Sequence, residues 1–229
     1  MSLFVIGDLH LSLGVPKPMD IFAGWGNYTE RLTDNWNAIV KRGDTVVIAG
    51  DVSWAMQLSE AVDDFNLIES LPGRKIIIKG NHDYWWMTLK KNDLWCAENS
   101  FSSISFMLND SYMYETTALC GTRSWFYDER EPDNDRVFKR ELGRLEASLK
   151  SAQNTEHDDT IVFLHYPPIF SSCKVDSIIE LLLKYHVSQC YYGHIHGQSI
   201  SNAFCGSCEN IKFQLISADY LKFSPYKIK

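Results

Sequence analysis

The sequence predicts a sheet-rich α/β sandwich, and three observations carry that reading. Five short apolar runs, β-branched or aromatic, each end abruptly in Gly or His with polar residues behind them. Runs of that length and composition fit strands buried on both faces. Segments with apolar residues at helical spacing lie between them, and strand–helix–strand order argues for βαβ units and a largely parallel sheet. The size permits such a fold: 45% of the 229 residues are hydrophobic, enough for a full core without disulfides or structural metal.

In chain order, Leu3–Ile6 leads into Gly7-Asp8-Leu9-His10. Residues 29–41 carry Leu32, Trp36, Ile39 and Val40 at helical spacing. Residues 46–49 lead into Gly50-Asp51. Residues 58–71 form a second helical pattern with Ala61, Val62, Phe65 and Ile68. Residues 76–78 and Lys79 lead into Gly80-Asn81-His82-Asp83. Residues 101–120 and 200–216 read as neighbouring antiparallel strands, and 135–152 and 176–185 as further helices. Residues 161–164 lead into His165-Tyr166-Pro167-Pro168, and 190–192 into Gly193-His194-Ile195-His196-Gly197. No repeat, low-complexity tract or linker divides the chain, so residues 1–229 read as one domain.

Charge and composition exclude several classes. With 22 Lys and Arg against 29 Asp and Glu, the net charge is −7, which argues against a diffuse basic surface and long nucleic acid as a partner. No apolar run approaches the roughly 20 residues needed to span a bilayer. The N-terminus has no basic region and reaches Asp8 directly, so a strand is expected there rather than a secretory signal. Six cysteines in 229 residues do not make a disulfide framework; a cytoplasmic protein with reduced thiols is expected.

Parallel strands end at one edge, and ligands of such sheets bind beyond the strand carboxyl ends. Every polar cluster named above sits at such an end. Five of the seven histidines, His10, His82, His165, His194 and His196, fall in these clusters, together with Asp8, Asp51, Asn81 and Asp83. Asp and neutral imidazole are the usual ligands of Mn, Fe or Zn. A single buried His is more often a satisfied core residue than a ligand. Five in order, all after strands, argue for one site.

Asp8-x-His10, Gly50-Asp51, Gly80-Asn81-His82-Asp83, His165 and Gly193-His194-x-His196 resemble the five motifs of the calcineurin-like metallophosphoesterases, in order, from Asp8 to His196. The resemblance implies a four-layer α/β/β/α sandwich and a dinuclear site of two divalent transition-metal ions, Mn, Fe or Zn. One metal takes Asp8, His10, Asp51 and His196; the other takes Asp51, Asn81, His165 and His194, with Asp51 bridging. It implies a shared hydroxide that attacks phosphorus, and His82 as the non-ligand histidine that faces the phosphate and protonates the leaving oxygen. Asp83 either orients His82 or caps a helix over 84–91.

The second motif continues Val52-Ser53-Trp54-Ala55 and lacks the Asp-Arg-Gly extension that phosphoprotein phosphatases of this superfamily carry after it, and Asp83 stands where they carry Glu. Small phosphodiesters are therefore the expected substrates, phosphomonoesters or phosphoproteins the alternative. A non-catalytic metal-binding scaffold is the rival of another class. It has no need for His82. Arg123 is either a phosphate clamp or a surface residue, and Lys174 is a second candidate cation. Trp54, Tyr84, Trp85, Trp86, Tyr166 and Trp125-Phe126-Tyr127 form an aromatic wall or ordinary packing. Residues 11–28 read as a long loop of the kind that forms lids. Cys205 and Cys208 have knuckle spacing without a second pair. Oligomeric state has no sequence signal.

Overall fold

A computed structural model describes residues 1–125, 134–171 and 173–229. The described chain runs β1 (Leu3–Ile6), α1 (Tyr28–Ile39), β2 (Thr45–Ala49), α2 (Val62–Ser70), β3 (Arg74–Ile78), α3 (Leu89–Glu98), β4 (Ile104–Phe106), β5 (Ser111–Tyr114) and β6 (Thr117–Thr122). It continues α4 (Asn134–Ala152), β7 (Asp159–Leu164), β8 (Ile169–Phe170), β9 (Cys173–Lys174), α5 (Asp176–Lys184), β10 (Gln189–Tyr192), β11 (Gly206–Cys208), β12 (Ile211–Leu215) and β13 (Tyr226–Lys227). The fold is mixed α/β, as the alternation of strand and helix patterns leads one to expect.

Two sheets carry the molecule. One has the order β13-β1-β2-β3-β4, the other β11-β12-β10-β7-β6-β5. β1 to β4 are mutually parallel, and so are β6, β7, β10 and β12; in these sheets β13, β5 and β11 run antiparallel, each at an edge, and β8 and β9 form a separate antiparallel pair. Alternate residues of β1, β2 and β3 divide between two cores. Leu3, Val5, Val47, Ala49, Ile76 and Ile78 meet Leu119, Ile161, Phe163 and Tyr191 of the other sheet. Phe4, Ile6, Val46, Ile48 and Ile77 instead meet Trp36, Phe65, Ile68 and Trp95 of α1, α2 and α3. On the far side, Val162, Leu164, Cys190 and Tyr192 cover Leu145 and Leu149 of α4 and Ile178 and Leu182 of α5. Helices, sheet, sheet and helices thus pack in that order.

The strand expectations need two corrections. Within 101–120 only β5 and β6 are antiparallel; β4 pairs in parallel with β3. Within 200–216 the first residues belong to a 3₁₀ turn, Gly197–Asn202, and the hairpin is confined to β11 and β12. Its two-residue turn is Glu209-Asn210, both with positive φ (52° and 63°), the geometry that matches strand twist in tight hairpins. The helix expected over 84–91 starts later. α3 begins at Leu89, and Thr88 caps it by accepting from the Lys91 N–H. The pattern over 58–71 splits into a 3₁₀ turn, Leu58–Glu60, and α2.

Candidate metal centre

The carboxyl ends of β1, β2, β3, β7 and β10 meet at one edge of the molecule. Main-chain bonds tie the two sheets there: Gly7 N–H donates to the Ile216 carbonyl (2.8 Å) and Ala218 N–H to that of Gly7 (2.9 Å). Beyond each strand the backbone turns sharply. Asp8, His10, Asp51 and His194 all take left-handed φ, from 46° to 71°. Asp and His tolerate that region better than β-branched residues, yet such positions carry strain and cluster at functional sites. Main-chain bonds from Asp8 N–H to the Gly50 carbonyl and His10 N–H to that of Asp51, both 2.9 Å, hold the turns. Two glycines are sterically required. A Cβ on Gly193 overlaps the Asp8 carboxylate, and one on Gly80 overlaps Asp51. That close approach lets His194 N–H donate to both Asp8 oxygens (3.0 and 2.9 Å) and His82 N–H to Asp51 Oδ1 (2.7 Å).

These turns gather seven side chains into two groups. In Asp8, His10 and His196, and in Asp51, His165 and His194, the candidate ligand atoms lie within 4.8 Å of one another. His196 Nε2 is 3.3 Å from Asp8 Oδ1 and 3.3 Å from His10 Nε2. Asn81 Oδ1 joins the second group, 2.6 Å from His165 Nε2 and 2.9 Å from His194 Nδ1. Asp51 Oδ2 lies between the groups, 3.7 Å from His10 Nε2 and 3.5 Å from His165 Nε2.

The donor chemistry fits cations. His165 Nδ1 faces the Ala49 carbonyl at 3.0 Å, and a carbonyl only accepts, so the proton sits on Nδ1. Its Nε2 lone pair therefore points at two more acceptors, Asn81 Oδ1 and Asp51 Oδ2. With Asp51 ionised these lone pairs converge with no proton between them, an arrangement that a metal ion satisfies. Among the described residues no Lys or Arg pairs with Asp8 or Asp51. The two sets mix imidazole nitrogen with carboxylate and amide oxygen, a combination suited to Mn, Fe or Zn.

Burial and mutual charge shift the titration of these groups. Burial, then the Asp8 charge, pushes Asp51 up to about 8. Burial opposes ionisation of Asp8 too, but His196, His165 and His10 outweigh it and hold that carboxyl well below the usual range. Burial likewise opposes charge on His196. Asp8 and Asp219 reverse that and raise it to about 10, so this imidazolium balances Asp8. Burial and neighbouring imidazoles lower His194 to about 3 and His10 well below its ordinary value.

His82 stands beside the ligands. Its ring is half-buried, 4.4 Å from the Trp54 ring and 5.7 Å from that of His10, and Nδ1 has no hydrogen-bond partner. Burial, then the charges of His165 and Lys17, lowers it to about 4. Asp83 does not reach that ring. Its fully buried carboxylate accepts from the N–H groups of Asp51 (2.9 Å), Val52 (2.8 Å) and Gly80 (2.7 Å) and from Trp85 Nε1 (3.1 Å). Neither sequence expectation for Asp83 describes it: it clamps the two turns that carry Asp51 and Asn81.

The remaining candidates separate. Trp85 and Trp86 are core, packed on Phe65 and Phe106. Trp54 stacks on His10 at 4.9 Å and Tyr166 lies 4.2 Å from His194, so these two line the centre, and Trp125 packs against Tyr166 at 5.0 Å. Tyr84 is exposed; Phe126 and Tyr127 lie outside the described residues. Arg123 is drawn away by Glu141 (3.1 Å), and Lys174 pairs with Asp176 and Glu209. Cys205 and Cys208 are free thiols, as are Cys96, Cys120, Cys173 and Cys190.

Three residues escaped the sequence reading. Asp219 Oδ1 accepts from His196 Nδ1 at 3.2 Å, fixing which nitrogen faces the centre. It follows β12 as the motifs follow their strands, which is the signal that could have found it. Trp25 meets His10 and His196 edge-on, both at 5.8 Å. The Lys17 ammonium caps the Trp54 ring at 3.4 Å, and among the described residues no carboxylate pairs with it. Both belong to the 11–28 loop, which is packed onto the centre.

Comparison with known proteins agrees. A family model described as calcineurin-like phosphoesterase matches residues 1–198. The chain belongs to the calcineurin-like phosphoesterases, a family of hydrolases that act on phosphoester bonds and use divalent metal ions. Three solved structures share the fold. Phosphopantetheinyl hydrolase from Mycobacterium tuberculosis is 13% identical, covering 99% of this chain and 95% of that one, at a TM-score of 0.58. A protein of unknown function from Aquifex aeolicus is 14% identical with coverage of 99% and 95% and a TM-score of 0.52. A protein from Thermus thermophilus is 10% identical with coverage of 99% and 97% and a TM-score of 0.56. No curated protein matches.

Proposed function

We propose that the protein is a dinuclear phosphohydrolase acting on small phosphodiesters. The observation that carries this reading is Asp51 Oδ2, which faces a histidine of each ligand group. Asp8, His10 and His196 hold one ion, Asn81, His165 and His194 the other, and Asp51 is shared. Two divalent ions, when bound, supply a nucleophile from water at neutral pH and positive charge beside the phosphate oxygens.

The chain's own residues do the rest. Hydrolysis adds water oxygen to phosphorus, breaks the bond to the leaving group, and requires a proton on the departing oxygen. His82, whose half-buried ring stands 5.7 Å from that of His10, would donate it. The negative phosphate raises the imidazole's readiness to hold that proton, because an opposite charge favours the charged form. Asp83 and Asp219 position ligands without touching substrate. Lys17, over the Trp54 ring, is the cation beside the centre.

A single flexible ammonium grips a dianion less well than the forked Arg does, which supports diesters over phosphomonoesters. Among the described residues no helix is long and apolar enough to cross a membrane. Six free thiols support a reducing, cytoplasmic setting. The test is kcat/KM for bis-nitrophenyl phosphate against a phosphoserine peptide at matched pH and metal. The diester is expected to win. A peptide preference of tenfold or more, about 1.4 kcal/mol in transition-state binding, contradicts the reading.

A further inference from the structure

A second cavity, about 280 Å³, opens beside the metal centre, where the end of β3 and the end of β6 meet α4 and the first turn of α3. Three cations line it: Lys79, Arg123 and Arg144. The acid among its lining residues is Glu141, which is 1% exposed and already shared. It pairs with Arg144 (2.8 Å), Arg123 (3.1 Å) and Arg140 (3.4 Å) and accepts from the Thr122 hydroxyl (3.3 Å). Lys79 is partly buried, and among the described residues nothing pairs with its ammonium. Arg123 Nε is buried and also lacks a partner. A desolvated cation without a counter-charge is costly, so the cavity has an unmet demand for an anion. With Arg140 included, four positive charges meet one negative, so the cluster carries a net positive charge that suits the oxygens of a phosphate group.

The cavity is connected to the metal centre in two ways. Lys79 directly precedes Gly80 and Asn81 on the same strand end. A run of rings also leads there: Tyr166 lies 4.2 Å from His194, Trp125 lies 5.0 Å from Tyr166, and the Arg123 guanidinium sits 5.0 Å over Trp125. We propose that this cavity is a subsite for a second phosphate group on the substrate, remote from the one that is cleaved. The proposal rests on the phosphohydrolase reading and narrows its substrate to diesters that carry a terminal phosphomonoester.

The test uses the metal-loaded chain and two diesters, thymidine 5′-nitrophenyl phosphate with and without a 3′-phosphate. Both release nitrophenolate when water cleaves the 5′ diester. The 3′-phosphate is expected to lower KM by about tenfold, as charge-assisted hydrogen bonds allow. Lys79→Gln and Arg144→Gln are expected to erase that gain, Lys79→Arg to keep it, and all three to hydrolyse bis-nitrophenyl phosphate as the parent does. Arg144→Gln leaves Glu141 paired with Arg123 and Arg140, so it preserves the fold. No gain from the 3′-phosphate, or a gain that survives both Gln variants, overturns the proposal. If neither diester is hydrolysed, the phosphohydrolase reading falls on its own. The cavity is then judged by titrating the metal-loaded chain with inorganic phosphate: one phosphate fewer per chain in Arg144→Gln supports an anion site, and equal stoichiometry overturns it. Phosphate binding there without any gain from the 3′-phosphate overturns its role as a substrate subsite.

Discussion

His82 and His194 both end turns at the sheet edge, yet they face different tasks. His194 Nδ1 lies against Asn81 inside a ligand group, whereas His82 Nδ1 has no partner. His82→Ala is therefore expected to keep both metals and lose turnover by about 10²–10⁴, the range of a lost general acid–base group. His194→Ala is expected to lose a metal. Elemental analysis beside kcat on a nitrophenyl diester separates them, and the reverse pattern refutes the assignment. Asp219→Asn keeps the shape and removes the charge behind His196. Metal titration should show the affinity of one site falling about 10–100-fold while the other holds. The seven candidate ligands were legible because Asp8-x-His10, Gly50-Asp51, Gly80-Asn81, His165 and His194-x-His196 each follow an apolar run. Lys17 was not, because the loop that carries it has no periodicity. Asp83 was misread because a carboxylate after His82 has several geometrically possible partners, and sequence spacing does not choose among them.

At the scale of elements, the buried end of β3 carries its own test. Lys75 is fully buried, and its Nζ donates to the Leu71 carbonyl at 2.7 Å, at the end of α2. Burial lowers its pKa to about 8. Below pH 8 both the folded and unfolded chains hold this proton, and the folded state bears the full desolvation cost. Between about 8 and the ordinary 10.5 the unfolded chain binds more protons, so stability rises with pH through that window. Lys75→Met should abolish this rise, worth about 1.4 kcal/mol for each pKa unit. Urea unfolding of both proteins from pH 7 to 10.5 reads it; a difference that stays constant with pH contradicts the account. Helices α1, α2, α4 and α5 and strands β1, β2, β3, β7 and β10 were legible from period and burial, whereas α3 was expected at 84–91 and β4, β6 and β12 fell in segments read as antiparallel. The edges were not: β4 is three residues long and its direction is set by pairing with β3, a tertiary fact that no local pattern encodes.

For the whole molecule, the centre lies where main-chain bonds tie the carboxyl ends of strands of the two packed sheets, so metal binding and folding are expected to be coupled. Asp8 and Asp51 are buried together, and among the described residues imidazoles and backbone N–H groups, with no Lys or Arg, oppose their charge. Ions that bind only the native state add about 2.7 kcal/mol at 100 times the dissociation constant. A chelator should lower Tm measurably. An unchanged melting curve after verified metal removal contradicts the coupling. The layered arrangement was legible because strands buried on both faces demand cover on both. The second cavity was not, since Lys79, Arg123 and Arg144 are distant in sequence and meet only through the packing of β3, β6 and α4.

The shared role of Asp51 is the centre of the account, and metal stoichiometry tests it most directly. The native chain, reconstituted with Mn or Zn and freed of excess, is expected to carry two ions by elemental analysis. Asp51→Asn removes the charge that both groups face and should leave fewer than one tightly held ion per chain. Two ions retained by Asp51→Asn, or none bound by the native chain after loading, would contradict a dinuclear centre built on this carboxylate.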